Sequence, residues 1–332
     1  MITARTVAEQ LGLGQDVLAR LGQLEATAPP PGQPFELPPP DQAADLLAQL
    51  QVAPEDIAPI IESMPSPQAN PAEWWLLERC YNELIGDMGG FDQIPPWPAL
   101  PKERGPLCRL LYLYVFLAAT PIVRRWHAAR GIADDISWAT LADLGTWVRN
   151  YRLAHGQTGF DQLFWLTYHY RGGIYRLGRL QFGRWRISFD PAAAGLGGAF
   201  RAGDPALGVH IPGDGGLTPE ACDTSFAQAR PFYERHFPSE QYRIAECNSW
   251  LLDEQLAEYL PADSNIVRFQ RRFTVVAGER WPADDEIVQF VFGRPRPASL
   301  DSLPKRTTLE RAIVQHLREG RHWYGRLGWM YS

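Results

Sequence analysis

The sequence changes its pattern at Gly172 and Gly173, and this change limits the fold more than any other feature of the 332 residues. Before it, apolar residues recur at helical spacing, and prolines and glycines stand where helices start and stop. After it, short runs of β-branched and aromatic residues alternate with helical patterns. The pattern predicts an α+β chain, with an all-helical domain at residues 1–170 and a mixed α/β sheet domain at residues 171–332.

The first half predicts one or two short helices within residues 1–28, followed by an extended connector. The segment PPPGQPFELPPP at Pro29–Pro40 has too many prolines for a helix or a central strand. Further helices are predicted at residues 41–50, 54–64, 71–88, 106–130, 137–155 and 160–171. A kink is expected at Pro121. The most apolar stretch, residues 107–123, is shorter than the roughly 20 residues of a membrane span, so it predicts a buried helix and no membrane partner.

The second half predicts a hairpin at residues 174–189, with its turn near Gly183, and an alternation of strands and helices after it. The further strands are predicted at residues 206–211, 242–247, 266–276 and 286–292, and the helices at residues 219–237, 250–260 and 307–319.

Composition and motif counts narrow the function classes. The net charge of −6 argues against a nucleic-acid partner, because phosphate binding needs a basic field. The four cysteines contain no CxxC pair, which argues against a cysteine zinc site and a disulfide scaffold. The histidines form no HxxxH or HExxH pattern, so no metal is predicted. The N-terminus shows no secretion signal, and a cytoplasmic setting is expected.

A glycine-rich loop stands between a predicted strand and a predicted helix, in the sequence LGVHIPGDGGLTPEACD. Gly213, Gly215 and Gly216 permit backbone torsions that are closed to other residues. Thr218 is expected to cap the helix, with Pro219 at its first position. Free backbone N–H groups at such a helix start can bind an anion such as a pyrophosphate.

The same spacing also suits a capped helix without a ligand. Asp214 and Glu220 place negative charge at the loop, and Glu220 by itself would stabilise the helix dipole. Because glycine-rich turns before helices are common, the spacing leaves both interpretations open.

The next predicted strand runs into the polar residues Cys247, Asn248 and Ser249, and Trp250 begins the following element. Polar groups at the C-terminal end of a strand often line the site of an α/β sheet, and a hydroxyl or thiol there could protonate a leaving thiolate. The alternatives are a plain helix cap for Ser249 and a small buried residue for Cys247. His210 suits either a general base or a hydrogen-bonded structural histidine.

Arginines and aromatic residues interleave in the predicted hairpin. With an acidic total charge, we expect the arginines to form the solvent face of an edge hairpin, with a contact to a ligand phosphate as the alternative. The arginines of this segment are Arg171, Arg176, Arg179, Arg184 and Arg186.

From Gly172 to Val291 the sequence resembles the GNAT-like C-terminal domain of a group of bacterial acyltransferase-like proteins. Three phrases carry the resemblance: LGRLQFG at Leu177–Gly183, LGVHIPGDGGLTPEACD at Leu207–Asp223 and SWLLDEQLAEYLPADSNIVRFQRRF at Ser249–Phe273. The helical half also fits this group, whose GNAT-like domain follows a helical N-terminal domain. The resemblance therefore covers essentially the whole chain.

The resemblance implies an N-acyltransferase that moves an acyl group from acyl-CoA, or another acyl thioester, to an amine by direct attack. His210 and Ser249 would be catalytic, and Cys247, Asn248 and Trp250 would lie near the acyl group. The loop residues would bind the pyrophosphate of the donor; they are Gly213, Asp214, Gly215, Gly216, Leu217 and Thr218.

Two other functions stay open at this point. The loop contains no basic residue, and this favours a non-catalytic ligand- or partner-binding protein on a GNAT-like scaffold. A thioester hydrolase is the third hypothesis, distinguished by release of the free acid without an amine acceptor.

Overall fold

The computed structural model describes residues 2–162 and 164–332. The chain divides into two compact units, Met1–Gly173 and Ile174–Ser332. The first unit is helical, and the second contains a mixed sheet of six strands. The predicted α+β class is therefore confirmed.

Four of the nine helices described in the first unit begin at a proline, and the start at Pro40 lies one residue before the predicted one. Pro40, Pro54, Pro71 and Pro106 each open a helix, where the missing N–H of proline has no intrahelical partner to lose. The helices described in this unit are α1 (Ala4–Leu11), α2 (Leu18–Glu25), α3 (Pro40–Gln49), α4 (Pro54–Glu62), α5 (Pro71–Gly86), α6 (Pro106–Ala129), α7 (Asp134–Leu141), α8 (Asp143–His155) and α9 (Trp165–Tyr170).

Helix α6 forms the centre of the first unit. Every residue from Leu110 to Thr120 is buried, and the helix continues through Pro121. Among the described helices, α6 alone is long and apolar enough to cross a membrane, but most of its apolar window is buried inside the unit. The helix is thus explained as a core helix.

The single helix predicted at residues 137–155 is wrong, because two helices, α7 and α8, occupy this segment. Asp143 begins the second of them, and its carboxylate accepts a hydrogen bond from Nε1 of Trp147 at 2.9 Å. An acidic residue in the first turn favours a helix start. The last predicted helix is also shorter than expected, since α9 begins at Trp165; Leu163 lies outside the described residues.

The second unit contains six strands and four helices among its described residues, together with short 3-10 turns. They are β1 (Ile174–Leu177), β2 (Leu180–Arg186), β3 (Pro205–His210), α10 (Pro219–His236), β4 (Ile244–Ser249), α11 (Asn265–Gln270), β5 (Thr274–Pro282), α12 (Asp284–Phe292), α13 (Thr308–Arg318) and β6 (Tyr324–Tyr331).

The strand order in the sheet is β1-β2-β3-β4-β6-β5. Strands β3 and β4 are parallel, and every other neighbouring pair is antiparallel. Helix α10 packs against the hairpin of β1 and β2, where the buried hydroxyl of Tyr233 donates to the carbonyl of Phe182.

The hairpin turn lies at Gly178 and Arg179, so the predicted turn near Gly183 is wrong. Gly178 has φ +69°, a conformation that favours glycine. Gly183 stands in the middle of β2 for a different reason. A Cβ built there would lie 2.5 Å from Cζ3 of Trp185, so this glycine makes room for the indole ring.

Two of the predicted strands are wrong. Residues 265–270 form helix α11, capped by the hydroxyl of Ser264, and the strand β5 starts only at Thr274. The strand predicted at residues 286–292 is helix α12, which has three acidic residues in its first turn and Gly293 in the left-handed conformation at its end. In α12, the acidic first turn and the C-terminal glycine outweigh the β-strand preference of the residues between them.

The helix predicted at residues 250–260 is two short 3-10 turns, Trp250–Leu252 and Glu254–Glu258. Asp253 separates them. Its buried carboxylate accepts from the backbone N–H of Gln255 at 3.1 Å and of Tyr324 at 2.8 Å. Tyr324 opens β6, a strand that the sequence pattern did not reveal.

Candidate functional site

The two parallel strands β3 and β4 separate before they end. They pair only at Leu207–Ala245 and Gly208–Glu246, although β3 continues to His210 and β4 to Ser249. Each strand keeps its outer neighbour to its last residue, since β3 pairs with β2 at His210 and β4 pairs with β6 at Ser249. We call the space between residues 209–210 and residues 247–249 the β3–β4 gap.

The glycine-rich loop directly follows β3 and leads into α10. Thr218 caps this helix, with its hydroxyl accepting from the N–H of Ala221 at 3.4 Å, and Pro219 takes the first helical position. The loop residues Gly213–Gly216 are exposed. The cap at Thr218 and the helix start at Pro219 were both predicted. The loop leads from the end of β3 to the N-terminus of this 18-residue helix.

Two arginines of the hairpin hold this loop. Arg176 makes a two-pronged ion pair with Asp214, with Nη1–Oδ2 at 2.5 Å and Nη2–Oδ1 at 3.2 Å. Nη1 of Arg179 lies 3.7 Å from Oδ1 of the same carboxylate. The side chains of Arg176 and Arg179 are 20% and 9% exposed, so the prediction that they form a solvent face is wrong.

The charge of Asp214 is compensated by this pairing. Burial alone would raise the pKa of its carboxyl, but the hydrogen bond from Arg176 and the charges of both arginines hold the pKa below its ordinary value. The negative charge of the loop therefore faces two positive charges, from Arg176 in β1 and from Arg179 in the turn after it.

His210 ends β3 at the edge of the gap. Its ring lies 5.2 Å from the ring of Trp185 in an edge-to-face arrangement. Side chains alternate between the faces of a strand. Because Gly208 pairs with Glu246, and His210 stands two residues after Gly208, His210 and Glu246 belong to the same face of the sheet.

The same indole ring lies over Gly208, where a Cβ would be 2.9 Å from Cδ2 of Trp185. We expect Gly208→Ala to lower the free energy of unfolding by about 1–3 kcal/mol, because the ring must shift. Equilibrium denaturation of Gly208→Ala and of Gly208→Ala/Trp185→Leu measures this cost, which should shrink once the indole is absent. Gly198→Ala is the control, since a Cβ there meets nothing within 4 Å. An equal cost in both Trp185 backgrounds would contradict the argument.

Glu246 is a site residue that sequence reasoning missed. It is 2% exposed, and Ser188 donates to its carboxylate from the hydroxyl (3.2 Å to Oε1) and from the backbone N–H (3.3 Å to Oε2). Burial raises its pKa to about 7, against the lowering effect of the Ser188 hydrogen bonds. The available signal was a single charged residue within the apolar start of β4.

The residues predicted on the opposite wall divide between the two faces of β4. Asn248 is exposed on the face of Glu246 and His210. Cys247 and Ser249 belong to the other face, where Cys247 is fully buried and burial raises the pKa of its thiol. The Ser249 hydroxyl accepts from the N–H of Leu251 at 3.1 Å, so the alternative role as a cap is present in the structure.

Trp250 is buried at the end of this wall, with its ring 6.4 Å from that of Phe290. The structure thus brings His210, the loop and residues 247–250 around one gap, with His210 and Ser249 on opposite faces of the sheet. Among the described residues, no group of three or more His, Cys, Asp or Glu side chains has a geometry that could hold a metal ion.

Comparison with protein families assigns both units. The profile of the N-acyltransferase N-terminal domain matches residues 41–172, and the profile of the GNAT-like C-terminal domain matches residues 174–330.

Solved structures match the whole chain. An acyltransferase in complex with decanoyl-CoA and teicoplanin is 41% identical, with 99% of each chain covered and a TM-score of 0.90. The chain belongs to this acyltransferase family. A second solved structure, of an acyltransferase with decanoyl-CoA, is 43% identical to the present chain over 99% of each chain, with a TM-score of 0.91. A mutant acyltransferase in complex with octanoyl-CoA is 41% identical over the same coverage. No curated protein sequence matches the chain.

The resemblance drawn from the three sequence phrases is therefore confirmed, as are the GNAT-like fold and the acyltransferase class. Every candidate residue of this acyltransferase lies in the GNAT-like domain, within the matched residues 174–330. The individual roles of His210, Ser249 and the loop stay predictions.

Proposed function

We propose that this acyltransferase moves a medium-length acyl group from acyl-CoA to an amine of a glycopeptide acceptor. The observation that carries the proposal is the 41–43% identity, over 99% of the chain, to acyltransferases solved with octanoyl-CoA or decanoyl-CoA and, in one case, with teicoplanin. The cytoplasmic setting inferred from the sequence stays a prediction.

The donor binds at the loop and in the β3–β4 gap. Backbone N–H groups of Gly213–Thr218 and the N-terminus of α10 hold the diphosphate of the coenzyme, since an anion is stabilised at a helix start. The pairing of Asp214 with Arg176 supports this role because it compensates the one carboxylate of the loop. The acyl thioester then lies between the separated strands, near Asn248 and Trp250.

The acceptor amine attacks the thioester carbonyl directly in the ternary complex. A C–N bond forms and the C–S bond breaks, so the amine loses a proton and the coenzyme leaves as a thiol. His210 accepts the proton of the amine on one face of the sheet, and the Ser249 hydroxyl gives a proton to the sulfur from the other face. Proton exchange with solvent then returns His210 to its neutral form and Ser249 to its hydroxyl form. The hydroxyl has this proton available because its oxygen accepts, rather than donates, in the bond to Leu251. Holding the two reactants together supplies most of the rate.

We expect octanoyl-CoA and decanoyl-CoA to bind with micromolar affinity, of the order usual for enzyme substrates. Isothermal titration calorimetry measures the binding, and mass spectrometry of teicoplanin incubated with enzyme and octanoyl-CoA detects the acylated product. Acetyl-CoA is the comparison donor, because it shares the diphosphate and lacks the long chain.

The three hypotheses give different results in this experiment. No binding of any acyl-CoA at millimolar concentration would reject the donor site. Binding without acylation of any amine would favour the non-catalytic binding protein. Release of coenzyme thiol without an acceptor would favour the hydrolase.

A further inference from the structure

Arg179 occupies the turn between β1 and β2, and its backbone is fixed to helix α10. The Ser225 hydroxyl accepts from the backbone N–H of Arg179 at 2.9 Å and of Leu180 at 3.2 Å. The same hydroxyl donates to the carbonyl of Ala221 at 3.0 Å, one turn earlier in the helix. The turn therefore has a defined position relative to the start of α10.

From this position the guanidinium group binds three backbone carbonyls of the loop region. Nη2 donates to Pro212 at 2.7 Å and to Gly215 at 2.6 Å, and Nε donates to Gly216 at 2.8 Å. The side chain is only 9% exposed, so it lies behind the loop and not on its open surface. A planar group with five fixed donors suits this set of carbonyls, which a lysine could not match.

These contacts determine where the loop N–H groups point. In a trans peptide unit, the N–H points opposite to the carbonyl of the preceding residue, and the units here are trans. With the carbonyls of Pro212, Gly215 and Gly216 turned to Arg179, the N–H groups of Gly213, Gly216 and Leu217 point away from it. In the described part of the chain, none of these three N–H groups donates a hydrogen bond.

We propose that Arg179 is the positioning residue of the donor site and replaces the basic residue that the loop lacks. It binds the loop carbonyls from behind, so that the loop presents three N–H groups to the diphosphate of the donor. Together, the positive charges of Arg176 and Arg179 outweigh the single negative charge of the loop, the carboxylate of Asp214. This inference rests on the proposed acyl-CoA donor.

The test compares two donors that have the same acyl chain and thioester. Octanoyl-CoA carries the diphosphate that Arg179 is proposed to serve, whereas octanoyl-pantetheine lacks the diphosphate and the adenosine group beyond it. We expect Arg179→Met to weaken octanoyl-CoA binding about 10-fold or more, the loss of one charge-assisted hydrogen-bond arrangement. Binding of octanoyl-pantetheine should stay within about twofold, because it makes no contact that Arg179 organises. Calorimetry gives both dissociation constants.

Arg179→Lys is the second variant, and Arg186→Met is the matched control. Lysine keeps the charge but cannot reach three carbonyls, so we expect intermediate octanoyl-CoA affinity. Arg186 stands at the other end of β2 from the turn and bonds to Gly203, so its removal should alter neither donor. Circular dichroism and the melting temperature check folding.

The outcomes separate this inference from the proposed function. If the wild-type protein does not bind octanoyl-CoA, the proposed function fails. If it binds and Arg179→Met binds both donors as the wild type does, the positioning role alone is rejected. An equal loss for octanoyl-CoA and octanoyl-pantetheine would also reject it, because Arg179 would then act only on the general structure of the domain.

Discussion

Replacing His210 by glutamine should lower kcat about 10²- to 10⁴-fold and leave the dissociation constant of octanoyl-CoA within about threefold. Glutamine has a similar size and retains a polar end, but it cannot accept the proton of the attacking amine. The ring of Trp185 fixes the histidine at the edge of the β3–β4 gap, on the face opposite to Ser249. Loss of the base therefore affects the chemical step and not donor binding.

Steady-state kinetics with octanoyl-CoA and teicoplanin gives kcat, and calorimetry gives the dissociation constant of octanoyl-CoA. His155→Gln, a change on helix α8 of the first unit, is the control and should retain wild-type kinetics. A kcat for His210→Gln close to that of the wild type, or a loss explained wholly by weaker donor binding, would contradict the role as a base.

Replacing Glu246 by glutamine should remove a pH-dependent loss of stability. The folded protein holds the Glu246 proton up to pH about 7, whereas the unfolded chain releases it near its ordinary pKa of 4.5. Between these values the folded state binds more protons, so the free energy of unfolding falls as pH rises through the window. With about 1.36 kcal/mol for each pKa unit, the loss is about 3 kcal/mol above pH 7. Glutamine has no proton to lose and keeps an acceptor for Ser188.

Hydrogen exchange of the β4 amides, measured from pH 4.5 to pH 8, gives the opening free energy of this part of the sheet. The difference between Glu246→Gln and the wild type should grow by about 3 kcal/mol over this range in favour of the variant. Glu234→Gln, at a surface pair with Arg230, is the control and should show little change. A difference that does not depend on pH would show that Glu246 is already ionised in the folded protein.

Local signals predicted the elements of the fold wherever they acted alone. Proline starts gave α4, α5 and α6 of the first unit, and the Thr218–Pro219 start gave α10. Two of the errors came where one local signal could be interpreted in two ways. In residues 286–292, β-branched residues suggested a strand, but the acidic first turn and Gly293 fixed a helix. Gly183 suggested a turn, yet its small size serves the ring of Trp185, a contact made through space within β2.

The candidate site was predictable in the parts that are contiguous in sequence. The loop, its capped helix and the residues around Ser249 follow one another along two short segments. Glu246 and Arg179 were beyond such reasoning, because their importance depends on partners 58 and 33–37 residues away. The loop itself has no basic residue, but the hairpin of β1 and β2 supplies the positive charge through Arg176 and Arg179.

The position of β6 in the sheet has a consequence for how this enzyme folds during its synthesis on the ribosome. Strand β6 is the last strand along the described chain, yet it lies between β4 and β5 in the sheet. The wall of the gap formed by β4 therefore lacks its neighbour until residues 324–331 have emerged, and β4 and β5 expose unpaired edges meanwhile. The helical unit can fold earlier during synthesis, but the β3–β4 gap has both of its walls supported only after β6 has left the ribosome.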